Sequence, residues 1–98
     1  MRDWSRMRRA AVRTRTEAFS FSFLPAEKRR LGVIVSSEVG PAVERNRIKR
    51  VVREHFRINR HLFPRGDLAV IARPGAARLD NKEIRAHLDR AIKKLGAT

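Results

Sequence analysis

Two apolar runs, Leu31-Gly-Val-Ile-Val-Ser36 and Asp67-Leu-Ala-Val-Ile-Ala72, stand on either side of a helix-periodic stretch from Pro41 to Asn59, and this arrangement decides the fold. The first run is β-branched and apolar on both faces, the pattern of an interior strand. The second is stopped by Arg73-Pro-Gly75. Between them Gly40-Pro41 opens a helix, with Pro at the first helical position, where its missing N–H costs nothing. Two strands flanking a helix read as parallel neighbours joined by a crossover. General rules make such a crossover right-handed.

Upstream, Ala18-Phe-Ser-Phe-Ser-Phe-Leu24 alternates, so Phe19, Phe21 and Phe23 share one side of a half-buried strand and Ser20 and Ser22 the other. Pro25 to Arg30 reads as a polar turn, and His61 to Gly66 as a connector. Residues 2–15 form an Arg-rich lead, in which Trp4, Met7 and Ala11 fall at i, i+3 and i+7 and place a short amphipathic helix over 3–11. Near the other end Asp80 caps a last helix, Glu83 completes a capping box, and Leu79 and Ile84 form a hydrophobic staple. The stripe Ile84, Leu88, Ala91, Ile92 and Leu95 is helix-periodic, and Gly96 stops it. The order is α-β-β-α-β-α: one α+β domain over residues 1–98, with a small three- to four-stranded sheet packed with helices.

A chain of 98 residues buries only about 60–65% of its unfolded surface, enough for one modest core. Hydrophobic content of 42% suffices to fold it. Against that stand 24 Lys and Arg and 10 Asp and Glu, a formal net charge of +14. Nineteen of the cations are Arg, whose planar fork of donors suits phosphates and base edges. Such unbalanced charge on a compact domain repels itself and implies a polyanionic partner. No apolar run approaches the roughly 20 residues of a membrane span. The basic N-terminus lacks the apolar segment of a signal peptide, so a cytoplasmic protein is expected. With no cysteine, disulfides and thiolate metal sites are excluded.

The central helix carries the strongest functional signal. Ile48, Val51, Val52, His55 and Ile58 make its apolar face, with Phe56 at the margin. Asn46, Lys49, Arg50, Arg53 and Arg57 lie opposite, flanked by Arg45 and Arg47. Residues 41–61 hold seven Lys and Arg against two Glu, a local net of +5. An ordinary solvated face mixes signs to gain i,i+4 pairs. Here Arg45/Lys49, Lys49/Arg53, Arg50/Arg53 and Arg53/Arg57 are like-charge neighbours, a cost that a polyanion bound on that side would relieve. Six to eight such cations on phosphates would give a log–log salt slope of roughly −5 to −7.

Catalytic chemistry is missing by the same reading. His55 sits on the apolar face as a core histidine, His61 is placed too far round to share a metal with it, and His87 reads as exposed on the last helix. The carboxylates are scattered, with Asp80 and Glu83 better explained as caps, and nothing resembles a two-metal nuclease cluster. The chain binds and does not cut by itself.

Arg30-Leu-Gly-Val-Ile-Val-Ser36, Val39-Gly40, Ala42-Val43, Arg45-Asn-Arg-Ile-Lys-Arg50, Arg53-Glu54 and Phe56 resemble the ribonuclease P protein subunit family, whose hallmark is the Arg-Asn-Arg helix. Asp67 to Ala77 and the helix from Leu79 to Leu95 agree, so the resemblance covers roughly residues 30–95. It implies a fold like domain 2 of ribosomal protein S5, in which the crossover is left-handed, against the general rule. It implies a protein that joins a catalytic RNA, ribonuclease P RNA, and helps remove the 5′ leader of precursor tRNA, the chemistry being water activated by RNA-bound Mg²⁺. The face of Arg45, Asn46, Arg47, Lys49, Arg50, Arg53 and Arg57 would meet the catalytic RNA. A cleft between the open sheet face and the helices would take the leader, with Trp4, Arg8, Ser20, Ser22 and Ser36 as its residues. No metal held by the protein, no membrane and no small-molecule substrate are expected.

This chain departs from the family in two places. Ser36-Ser37-Glu38 replaces the usual Ser-Lys-Lys, losing two cations beside the helix start. Without gaps, Asp3-Trp4 falls on the family's Asp-Phe cleft position and Ser22 on an aromatic one. If Arg6-Met-Arg-Arg9 is instead the family's basic start, Trp4 loses that assignment. Two other readings stay open on sequence grounds: a ribosomal or assembly RNA-binding protein of the same fold, and a DNA-binding domain with its basic helix in the major groove. No short helix-turn-helix precedes residues 41–59 to favour the latter.

Overall fold

A computed structural model describes residues 12–96. Four strands, β1 (Val12–Arg15), β2 (Phe19–Pro25), β3 (Arg30–Ile34) and β4 (Gly66–Ala72), form one sheet in the order β1-β2-β4-β3. Two helices, α1 (Ala42–Ile58) and α2 (Asn81–Gly96), pack on one of its faces, with 3-10 turns at Ser37–Val39, Arg60–Leu62 and Pro74–Arg78. β2 runs antiparallel to β1 and β4, and β3 runs parallel to β4, so the two apolar runs are parallel neighbours joined through α1 as the sequence implies. The helix expected over 3–11 lies outside the described residues.

Two expectations about strands are corrected. β3 is an edge strand, against the reading that placed Leu31 to Ser36 inside the sheet, and β4 is interior. Its two apolar sides have different destinations: Leu31 and Val33 pack on the core, whereas Ile34 stands 50% exposed on the other face. The Arg-rich lead also conceals a strand. Val12–Arg15 pairs with β2 in the register Val12 to Phe23 and Arg15 to Ser20. Its alternation is masked because Arg13 and Arg15 are both exposed and Val12 is only partly covered.

Phe19, Phe21 and Phe23 from β2 and Leu68, Val70 and Ala72 from β4 are buried beneath the helices. They meet Ile48, Val51 and Val52 of α1 and Ile84, Leu88, Ala91, Ile92 and Leu95 of α2. α1 lies toward β3, and α2 toward β1 and β2. Gly66 opens β4 with φ 150°, and a Cβ there would overlap the Leu24 carbonyl oxygen and the Phe23 ring.

Both helix starts follow local chemistry. Pro41 is the N-cap of α1 rather than its first helical residue, and its carbonyl accepts the Arg45 N–H at 3.0 Å. At α2 the capping box forms as read: Asp80 Oδ1 accepts the Glu83 N–H at 2.7 Å, and Glu83 Oε1 accepts the Asp80 N–H at 2.9 Å. Ile58, assigned to the apolar face of α1, is 61% exposed. It falls about 80° round the helix from Ile48 and stands in the last turn, beyond what the core covers. Phe56, at the opposite margin, is half-buried because Phe63 packs edge-on to it with ring centroids 5.0 Å apart.

Candidate nucleic-acid interface

The burial of Ile48, Val51, Val52 and His55 sets the rotation of α1 and so decides which side chains it presents. Asn46, Arg50, Arg53 and Arg57 follow one another at i, i+4, i+7 and i+11, all exposed, in a stripe about 16 Å long. Lys49 borders it, half-buried. The side chains of Asn46, Lys49, Arg50 and Arg53 make no hydrogen bond or ion pair to any described residue. Among the described residues Arg57 meets only Glu54, at 3.4 Å, in an exposed pair of little worth.

The two arginines of the Arg-Asn-Arg triplet behave differently from the asparagine between them. Arg45 donates from Nε to the Gly40 carbonyl at 3.0 Å. Arg47 is spent on its own chain: Nε donates to Glu44 Oε1 at 2.9 Å, Nη1 to Asn81 Oδ1 at 2.8 Å and Nη2 to the Leu79 carbonyl at 2.9 Å. It therefore clamps α1 to the start of α2, and of the triplet only Asn46 is fully presented.

Tertiary packing adds cations that the central helix alone does not reveal. Arg85 of α2 lines a shallow groove with Arg50, Val51, Glu54 and Asn81, and Arg78 and Lys82 line another beside Arg47. All three are exposed and lie on the α1 side of the helix pair. No pattern within residues 41–59 could have pointed to them.

The face of the sheet away from the helices is laid out by strand register. One row across it reads Arg15, Ser20, Ile71, Ile34, the next Arg13, Ser22, Ala69, Gly32, and a third Leu24, Asp67, Arg30. Ser20 and Ser22 thus sit on this face as expected, half-buried, with small residues beside them forming a shallow floor. Ser36 is exposed at the start of the 3-10 turn, outside these rows. Trp4 and Arg8 lie outside the described residues. Asp67 Oδ1 is buried with no hydrogen bond, 4.0 Å from Arg30 Nε.

The histidines are structural ties. His55 is buried; its Nε2 meets Asp89 Oδ1 at 2.7 Å and its Nδ1 meets the Asn59 amide at 3.2 Å, linking the two helices. His87, expected to be exposed, is buried, because the turn before β2 folds over that side of α2. Thr16 Oγ1 accepts the Phe19 N–H at 3.1 Å and lies 2.7 Å from His87 Nδ1, to which Arg90 Nη2 also points at 3.2 Å. Two donors on Nδ1 leave that nitrogen unprotonated and place the ring proton on Nε2. Burial first, and then the Arg90 charge, hold the His87 pKa below its ordinary value, with Glu17 and Glu83 opposing. Among the described residues no three His, Asp or Glu side chains gather to hold a metal ion.

The family model for ribonuclease P matches residues 1–96. The ribonuclease P protein component of Desulforapulum autotrophicum is 41% identical over 96 residues, spanning 95% of this chain and 82% of that protein. That of Thermus scotoductus is 42% identical over 95 residues, spanning 97% of this chain and 57% of that protein. Among solved structures, the RNase P protein from Thermotoga maritima superposes with a TM-score of 0.84 at 32% identity, covering 95% of this chain and 91% of that one. The Staphylococcus aureus RNase P protein gives 0.84 at 29%, covering 96% and 88%. Fold, sequence and the basic helix therefore agree, and the chain belongs to the ribonuclease P protein family, a subunit of the endoribonuclease ribonuclease P.

Proposed function

We propose that the exposed stripe of α1 docks the chain onto the catalytic RNA of ribonuclease P, and that the open sheet face receives the single-stranded 5′ leader of precursor tRNA. Membership of the family makes the chain an RNA-binding subunit in precursor tRNA processing. The docking assignment rests on one observation: Asn46, Arg50 and Arg53 stand outward on a well-packed helix, their side chains without a hydrogen-bond or ion-pair partner among the described residues. A helix that leaves its own cations unneutralised has lone donors available for phosphates. Arg78, Lys82 and Arg85 widen that surface beyond the helix.

Two polyanions, catalytic RNA and leader, must lie side by side during cleavage, and a cationic wedge between them lowers their repulsion. The leader is unpaired, so its contacts are electrostatic and only weakly dependent on sequence. Mg²⁺-dependent activation of water is left to the RNA, and the particle works in the cytoplasm. No described helix is long and apolar enough to cross a membrane.

Reconstitution tests the reading. The purified protein is added to a bacterial ribonuclease P RNA at low Mg²⁺ and cleavage of precursor tRNA is followed. Cleavage above the RNA-only level is expected, with none from protein alone. An unstimulated RNA would overturn the reading in favour of an RNA-binding protein without a processing role.

A further inference from the structure

Beyond the two surfaces above, a third cationic feature lies at the β1 edge of the sheet. A depression between β1 and α2 is lined by Thr14, Arg15, Thr16, Glu17, Arg90 and Lys94. Three cationic side chains face one carboxylate there, and Glu17 lies 3.9 Å from Arg90 in an exposed pair. The Arg15 and Lys94 side chains are exposed and make no hydrogen bond or ion pair to a described residue. This site is remote from the docking stripe: α1 packs toward β3, and β1 is the opposite edge.

The depression also joins the open sheet face. Thr14 and Arg15 line it on one side, and on the other they line a groove with Arg13, Ser20, Phe21 and Ser22. The register row from Ile34 through Ile71 and Ser20 ends at Arg15. A strand laid along that row crosses about 14 Å of sheet, passing from apolar side chains to hydroxyls to a cation at the rim. The Leu24, Asp67, Arg30 row, two rows away, carries a carboxylate, Asp67, with Arg30 Nε 4.0 Å from it.

We infer that the leader does not end on the sheet: its upstream nucleotides turn over the β1 edge, and their phosphates are held by Arg15, Arg90 and Lys94. This rests on the proposal that the open face receives the leader, and it adds a dependence on leader length. A leader of a few nucleotides is consumed by the width of the sheet and cannot reach α2. A longer one gains the second set of phosphate contacts.

The test is a series of precursor tRNAs, leaderless, short-leader and long-leader, bound to holoenzyme carrying wild-type protein or Arg15→Gln/Lys94→Gln. Neither side chain has a hydrogen-bond or ion-pair partner among the described residues, and a charge-retaining Arg15→Lys/Lys94→Arg protein controls for packing. The Gln variant is expected to weaken long-leader binding by about tenfold and to flatten its salt slope by roughly 1.4, the single-strand value for two phosphates. The charge-retaining variant restores both. Equal losses for short and long leaders, or none for either, overturn the inference while leaving the open-face reading intact. A wild-type holoenzyme that binds leaderless and leader-bearing tRNA alike overturns the open-face reading itself.

Discussion

Substituting alanine for Arg50 or Arg53 removes a charge that makes no hydrogen bond or ion pair to a described residue, so stability should be kept and RNA affinity lost. The expected outcome is weaker assembly with the catalytic RNA and a salt slope flattened by about 0.9 for each phosphate contact removed, read from binding isotherms at several salt concentrations. Arg47 three residues earlier should do the reverse. Arg47→Ala removes the bonds to Glu44, to the exposed Asn81 amide and to the half-buried Leu79 carbonyl and is expected to cost about 1–2 kcal/mol in urea unfolding, with the slope of whatever binding remains unchanged. His87 supplies a pH signature. Its folded-state pKa is held below the ordinary 6.5, so as pH falls through about 6.5 the unfolded chain takes up the proton first. The stability His87 contributes is complete above that pH and declines below it, down to the lowered folded-state pKa. The thermal midpoint of the wild type should therefore fall more between about pH 7.5 and 5.5 than that of His87→Gln; parallel curves would remove His87 from the account.

At the scale of elements, the join between β2 and β4 is the least forgiving place in the sheet. Gly66 pairs with Pro25 at the end of the ladder, at a backbone angle that side chains rarely adopt, against the Leu24 carbonyl and the Phe23 ring. Gly66→Ala is expected to cost at least about 2 kcal/mol, from strain and overpacking together, as measured by denaturant unfolding. The helices owe their positions to different devices. α2 starts at its capping box, which is local and was readable as Asp80 followed three residues later by Glu83. α1 has no side-chain cap and is held instead by Arg47 and by the His55 link to Asp89, both of which reach across 34 residues at their farthest. Those ties explain why a helix crowded with like charges keeps its place.

For the whole molecule, the charge excess separates into surfaces. Lys49, Arg50, Arg53 and Arg57, with Arg78, Lys82 and Arg85, make seven cations on the α1 side. If they meet phosphates, assembly should show a log–log salt slope of roughly −6. A slope near −2 would mean that most of this face is solvated. Other arginines serve the fold: Arg29 donates to the Phe63 carbonyl at 2.8 Å, and Arg60 lies 5.5 Å over the Phe56 ring. Composition cannot sort the two kinds, because a guanidinium looks the same in sequence whether its partner is a carbonyl or a phosphate. The sequence by itself determined the parallel strand pair around α1, the Phe19, Phe21 and Phe23 core face, the capping box and the rotation of α1, since each depends on side-chain periodicity or on bonds within four residues. Tertiary structure alone decided that β3 is an edge, that residues 12–15 form a strand, that His87 is buried and that Arg47 is a clamp. Each of these turns on which distant backbone or side chain arrives opposite, and no local pattern encodes that.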